Sequence, residues 1–279
     1  MDKFDKIGDD IKKVKIQGAE NIAIAAANAL LIRNDKKAIR KLLSLRPTEP
    51  CMYNTIKFIT SLSNIEEGIK KALAHFSDAK NKISLIGSRL IKDDMLIFTH
   101  CHSTAVVDIL LKAKEQGKNF SVNLTESRPL YQGRITARQL AKAKIPVTLF
   151  VDSAARIALK KADIILFGCD AMTTTKIYNK IGSEMFAIIA NNYKIPVYIA
   201  TDSWKFDARS IYGEETKLEK RPTEEIWENP PKGVKILNPA FEKIDSNLVT
   251  AIISELGFLL HKSFMEELRK KHNFIFKTG

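Results

Sequence analysis

The sequence is poor in cysteine: three thiols in 279 residues, Cys51, Cys101 and Cys169, with no paired spacing. That excludes a disulfide framework and a cysteine-based zinc site, and it fits a reducing compartment. Long apolar runs are missing too, so no stretch reaches the length of a membrane span. There is no internal repeat and no low-complexity segment. The opening Met1-Asp-Lys-Phe-Asp-Lys is not of signal-peptide type, and the expected location is the cytoplasm. Acidic residues are outnumbered, 32 against 45 Lys and Arg, which leaves a formal charge of +13. Such an excess is the footprint of nucleic-acid binding or of an anionic substrate. The lysines, however, are scattered in pairs (Lys12-Lys13, Lys36-Lys37, Lys70-Lys71, Lys160-Lys161) on predicted helices. No recognition helix, RNA-binding motif or zinc finger accompanies them. The expectation is a solvated surface and an anionic small molecule, with no specific nucleic-acid partner and no membrane.

What the sequence does contain is a change of texture at Met95. Before it, from residue 1 to about 92, apolar residues recur at helical spacing, beginning with Ile7, Ile11 and Val14. Gly18 breaks the first helix, an Ala-rich helix follows from Ala19 to Leu31, and Asp35 is a good N-cap for a third that ends near Leu45. Arg46-Pro-Thr-Glu-Pro50 interrupts, because two prolines in four residues forbid a helix interior. Helices are expected again over about Met52–Leu62 and from Ile65, capped by Ser63 or Asn64, as far as Leu90. After Met95, short apolar runs alternate with helical segments, the pattern of βαβ units. Strands are predicted at Met95–Thr99, Phe120–Leu124, Val147–Val151, Ile164–Phe167 and Val197–Ala200. The helices between them span about Ser103–Gln116, Arg134–Ala143, Ser153–Lys160 and Ser183–Tyr193. Residues 207–240 read as irregular, Asn247–Leu256 as a helix and Glu266–Lys271 as an exposed charged helix. The fold class is α/β: a helical domain over residues 1–92, then a doubly wound parallel-sheet domain over 93–279.

Every predicted strand ends in a polar cluster. These are Thr99-His-Cys-His-Ser103, Thr125-Glu-Ser-Arg-Pro-Leu-Tyr-Gln-Gly133, Asp152-Ser153, Gly168-Cys-Asp170 with Asn179-Lys-Ile-Gly-Ser183, and Thr201-Asp-Ser-Trp-Lys205. If the strands are parallel, all five lie at one sheet edge, where open α/β folds bind ligands. Arg128, Lys180 and Lys205 suit phosphate, and the helix openings after Cys101 and at Gly182-Ser183 offer N–H groups to an anion. Cys101, near a helix N-terminus, is expected to have a lowered pKa and to act as base or nucleophile; it also reads as a small buried residue. Asp170 is a candidate proton donor or acceptor for a sugar oxygen, or a turn cap. Arg128 alternatively pairs with Glu126. His100 and His102 would share a face on a strand, but with no further ligand in reach no metal site is assigned.

These motifs, with Lys15-Ile-Gln-Gly-Ala19 and Arg46-Pro-Thr-Glu-Pro50, resemble the family of translation initiation factor 2B alpha, beta and delta subunits. That family also holds the ribose-1,5-bisphosphate and methylthioribose-1-phosphate isomerases. The resemblance implies an N-terminal helical domain, a Rossmann-like C-terminal domain and a homodimer built through the latter, or a hexamer. It implies catalysis by Cys101 and Asp170, and substrate binding by Gly18, Ala19, Arg46, Ser103, Asn179, Lys180 and Lys205; Arg128 joins them as a phosphate-binding candidate. The implied activity is isomerisation of a C1-phosphorylated pentose, foremost ribose 1,5-bisphosphate, without metal or cofactor. A methylthioribose-1-phosphate isomerase is one alternative. The other is a regulatory subunit that binds a nucleotide or sugar phosphate and contacts an initiation factor subunit. The sequence departs from the isomerases at Gln17, where they carry Arg, and in a short, glycine-free segment between Asp170 and Asn179. The segment Asn247–Leu260, too apolar to leave exposed, serves either the oligomer or the sheet of its own subunit.

Overall fold

The computed structural model describes residues 2–13, 15–16, 18–46, 49–214 and 221–277. Val14, Gln17, Pro47 and Thr48, which enter the sequence reading, lie outside the described residues. Five helices come first: α1 Lys3–Lys12, α2 Ala19–Ile32, α3 Lys36–Leu45, α4 Pro50–Thr60 and α5 Ile65–Ser88. Their starts follow local chemistry. Asp35 accepts from Lys37 and Ala38 N–H, Asn64 accepts from Glu67 N–H, Gly18 opens α2 at φ 88°, and Pro50 occupies the first turn of α4. Ala23, Ala26 and Ala27 of α2 are fully buried, and these small side chains let it pack closely on α4.

The chain then alternates: β1 Leu96–His100, α6 Thr104–Glu115, β2 Ser121–Thr125, α7 Gln132–Lys142, β3 Val147–Phe150, α8 Ala155–Leu159 and β4 Ile164–Phe167. A hairpin follows, β5 Ala171–Met172 and β6 Lys176–Lys180, then α9 Ser183–Asn192 and β7 Val197–Ala200. The last elements are β8 Phe241–Asp245, β9 Ala251–Ser254, β10 Gly257–Leu259 and α10 His261–Lys271. The main sheet runs β10-β9-β7-β4-β1-β2-β3, parallel except for β10 at its edge. Its central strands are buried on both faces. Ile97, Leu166 and Ile253 pack with Val106, Ile109 and Leu110 of α6, while Phe98, Ile165 and Phe167 pack with Phe186 and Ala187 of α9. That double burial explains why the strands read as continuous apolar runs rather than alternations. Among the described residues no helix is long and apolar enough to cross a membrane.

Two expectations fail here. Asn247–Leu256 is not a helix: after one short turn it enters the sheet as β9 and reverses into β10 at Gly257, φ 133°. Val249, Thr250, Ile252 and Ile253 are β-branched, and a short run buried on both faces carries no period that separates strand from helix. The segment therefore completes its own sheet, while Phe258 of β10 and Leu260 after it remain exposed. The second failure is an omission. β5, β6 and β8 form a separate three-stranded antiparallel sheet. Its glycine-free hairpin closes through Thr173, whose N–H donates to Lys176 O at 2.8 Å and whose hydroxyl accepts from Lys176 N–H at 3.0 Å.

Candidate active site at the carboxyl edge of the sheet

From β1 the chain winds outward through β2 to β3, then returns to place β4 on the other side of β1. The winding direction switches between β1 and β4, and ligands bind outside such a switch point. Cys101 follows β1 and Gly168-Cys169-Asp170 follow β4. Gly168 permits the two ends to approach: a Cβ there would fall 2.5 Å from Ser103 Oγ, the N-cap of α6. The thiol of Cys101 feels both Lys180, which favours its ionisation, and Asp170, which opposes it.

The Cys101 turn is held under strain. Cys101 and Ser127 are both left-handed, φ 67° and 61°, and each such residue costs about 1–3 kcal/mol unless its surroundings enforce it. Cys101 N–H donates to Ser127 Oγ at 2.8 Å, and Cys101 O accepts from Thr136 Oγ1 at 3.0 Å. The carboxylate of Asp152 accepts from Ser127 N–H at 2.9 Å and from Arg128 N–H at 2.7 Å. His100 lies beneath. Its Nε2 donates to Ile181 O at 2.9 Å, so Nδ1 accepts, from Thr125 Oγ1 at 2.5 Å. Burial pushes His100 down to about 4 and keeps it neutral. His102 bonds to Thr136 Oγ1 at 3.0 Å, so the two histidines serve separate contacts. Ser127, Thr136 and Asp152 carry no site signal in the sequence: an Asp after β3 and a Ser after β2 signal only turns, and their role appears where the two loops meet.

Three expectations about the site change. The thiol of Cys101 is not lowered: burial pushes it up to about 11, more than Lys180 offsets. The N-terminus of α9 is occupied by Glu242, whose Oε1 accepts from Glu184 N–H at 2.6 Å. Glu126 pairs with Arg134 at 2.7 Å, not with Arg128. Arg128 is exposed; its guanidinium donates to Tyr131 OH at 2.8 Å and reaches Ile226 O at 3.5 Å.

Lys205 joins the two halves of the chain. Its ammonium donates to Cys169 O at 2.7 Å. Burial works against its charge, yet Cys169, Asp170, Cys51 and Asp202 together hold its pKa above the ordinary lysine value. From the helical side, Glu20 at the start of α2 faces the charges of Asp202 and Lys205, and burial raises its pKa. Asn54 of α4 donates to Trp204 O at 2.7 Å and Phe206 O at 2.8 Å, docking α4 on the segment that carries Lys205. Gly18 and Ala19 open α2 immediately before Glu20, while Arg46 is held by Glu49 at 2.8 Å before α4. Asn179 is buried and donates to Ser183 Oγ at 3.0 Å, and the ammonium of Lys180 lies 4.8 Å over the ring of Phe241.

Fold and edge together define a doubly wound α/β protein with a thiol, a carboxylate and the half-buried cations Lys180 and Lys205 near its switch point. Residues 15–260 match the initiation factor 2 subunit family. The chain is 36% identical to a ribose 1,5-bisphosphate isomerase of Methanocaldococcus jannaschii, with 93% of this chain and 92% of that one covered. It is 33% identical to a 5-deoxyribose 1-phosphate isomerase of Petrotoga mobilis, covering 97% and 90%. A crystal structure of the Pyrococcus horikoshii translation initiation factor eIF-2B superposes with TM-score 0.80 at 26% identity, over 93% of this chain and 98% of that one. The protein belongs to the initiation factor 2 subunit family.

Proposed function

We propose that the protein is an aldose–ketose isomerase of a C1-phosphorylated pentose, converting ribose 1,5-bisphosphate to ribulose 1,5-bisphosphate in the cytoplasm. The observation that carries this reading is the placement of Cys101 and Asp170 after the two strands flanking the switch point, each within the other's electrostatic reach. The name of the Methanocaldococcus relative supports the substrate. A C1 phosphate blocks spontaneous ring opening, so the reaction needs assistance at the ring oxygen. Asp170, in its protonated form, gives that oxygen a proton as its bond to C1 breaks, and Cys101, in its thiolate form, takes the proton from C2. The enol collapses to the ketone as C1 takes a proton back from the thiol and the C2 hydroxyl returns one to Asp170. Both groups end as they began. Lys205, Lys180, Arg128, Arg46, Ser103, Asn179 and the Gly18-Ala19 turn hold the phosphates and hydroxyls.

The test is turnover of a panel of sugar 1-phosphates, ribose 1,5-bisphosphate and methylthioribose 1-phosphate included, followed by NMR. Conversion of the bisphosphate is expected, and no turnover of any member by folded protein overturns the reading. One observation favours a second reading. A thiol at about 11 rests protonated, as a subunit that only binds a nucleotide or sugar phosphate and contacts an initiation factor would tolerate. Binding without turnover in the same panel would select it.

We also propose that the chain works as a homodimer or a higher oligomer such as a hexamer. Support comes from exposed apolar side chains on neighbouring elements: Leu149 of β3, Val151 after it, Ile157 of α8, and Met185 and Ile188 of α9. β3 is also an edge strand, with unpaired backbone groups. A monomeric mass by light scattering would exclude this.

A further inference from the structure

Behind the turn that carries Lys205 lies a cluster that the isomerase reading does not use. His75 of α5, Glu255 in the turn between β9 and β10, and His272 just after α10 bring three ligand atoms within 4.8 Å of one another. They line a cavity of about 340 Å³ together with Asp78, Lys82 and Glu267. The side chains are held in place. His75 stacks on Trp204 with ring centroids 4.0 Å apart and planes 9° from parallel, and His272 meets His75 edge-on at 5.5 Å. Glu255 is oriented by Ser203, whose N–H donates to one carboxylate oxygen at 3.1 Å and whose hydroxyl donates to the other.

The ring nitrogens are poorly served. His75 Nε2 lies 3.0 Å from Asp202 Oδ2, and His272 Nε2 lies 3.6 Å from Glu255 Oε1, yet neither buried nitrogen makes an aligned hydrogen bond. Buried polar atoms are nearly always satisfied; His75 Nε2 has the carboxylate of Asp202 beside it, while the buried imidazole nitrogen of His272, 3.6 Å from Glu255, is left for a partner in the cavity. The charge agrees: besides Glu255 itself, Asp202, Asp78 and Glu267 stand around the cluster, against Lys82, Lys271 and the Lys270 that pairs with Glu267. A cation is the partner this field favours.

We infer that His75, Glu255 and His272 form a binding site for a divalent transition metal of the zinc class. Two imidazoles and one carboxylate, without thiolate, are a zinc-type donor set that leaves a fourth position for water on the cavity side. Tetrahedral zinc at 2.0–2.1 Å from nitrogen requires donors roughly 3.4 Å apart, so the three close by about an ångström on binding. The hydrogen bonds from Ser203 to Glu255 supply the outer support that orients a ligating carboxylate. The metal ties α5, the β9–β10 turn and the end of α10 to the turn Ser203–Lys205, and so fixes the segment from which Lys205 reaches Cys169 O. Its role is to position that segment, not to touch substrate.

The experiment uses the full chain, stripped with a chelator and titrated with Zn²⁺ by calorimetry and with Co²⁺ by visible absorption. One zinc per chain with Kd of about 1 μM or tighter is expected. The cobalt form should show the intense ligand-field bands of a tetrahedral site. Zinc at about a hundredfold excess over Kd should raise Tm by roughly 5 °C. His272→Gln and, separately, Glu255→Gln should each weaken binding at least about tenfold, one log unit being the smallest loss read as a lost ligand. Glu255→Gln keeps an acceptor for Ser203, which guards against loss of folding. His261→Gln, outside the cluster, should leave binding unchanged. No zinc uptake by wild-type protein, or uptake indifferent to both His272→Gln and Glu255→Gln, overturns the inference.

Discussion

α6 and α9 both open toward polar residues that follow strands, and both offer a helix N-terminus to an anion. Their fates differ. α6 is capped by its own Ser103, with Thr104 exposed and the thiol of Cys101 two residues before the cap. α9 starts at Gly182, φ 101°, and its N–H groups are taken by the carboxylate of Glu242 on β8. A helix dipole attracts an anion wherever it is exposed; which anion arrives is decided by what the rest of the chain brings there. Here β8, some sixty residues on, fills one site with a side chain, and the other is left beside the switch point.

The largest expected effect tests the α6 side. Cys101→Ser keeps the shape and replaces the thiol with a much weaker acid, and kcat should fall by at least roughly a hundredfold, as should Asp170→Asn. The double variant should be far less impaired than the product of the singles, because both serve one reaction. Calorimetric binding of the sugar phosphate should survive all three. Near wild-type turnover by folded Cys101→Ser would remove the thiol from the chemistry and leave α6 no more special than α9.

The pH profile sharpens the same point. A base with a resting pKa of about 11 gains its active form tenfold per pH unit below that value. kcat/KM should therefore climb with unit slope only while Asp170 keeps the proton it donates, and stay level above that point as far as the thiol pKa. A decline in kcat/KM that sets in well below pH 10 would mean that bound substrate lowers the thiol or that another group takes the proton.

His100, under the α6 turn, governs stability in acid. Its folded pKa of about 4 lies below the ordinary 6.5, so between these values the unfolded chain binds the extra proton. The contribution is complete above pH 6.5 and is lost as pH falls toward 4, on the order of 3 kcal/mol in all. Denaturant midpoints should drop over that window and drop less in His100→Asn; equal slopes would show that other groups carry the acid response.

Gly168→Ala would drive a methyl group into Ser103 and shift the α6 cap. A loss of about tenfold in kcat/KM is expected, with stability reduced by about 1–3 kcal/mol. Unchanged kinetics would mean that Ser103 moves aside without cost. The smallest effect belongs to α9. Glu242→Ala removes its anchored carboxylate and should cost about 1–2 kcal/mol, the scale of a lost N-cap, with turnover largely retained. A large loss of turnover would instead link α9 to substrate.

Much of this arrangement was legible in local chemistry. Five of the six parallel strand positions follow from short apolar runs between turn residues, and the helix starts follow from Asp35, Asn64 and Ser103, because capping acts within three residues of the cap. What escaped was nonlocal. The β9–β10 segment looks helical until its partner β7 is known, since its residues are buried on both sides. Ser127 and Asp152 reveal a role only once the loops after β2 and β3 meet at Cys101.

The sequence by itself determined which residues carry reactive groups, where the chain must turn, and that β and α segments alternate after Met95, because these depend on side-chain chemistry and on spacing along one strand or helix. Only the tertiary structure decided the protonation of Cys101 and His100, the occupant of the α9 N-terminus and the gathering of His75, Glu255 and His272. Those depend on burial and on charges from residues distant in the chain, and a pKa or a ligand set is a property of the surroundings rather than of the residue.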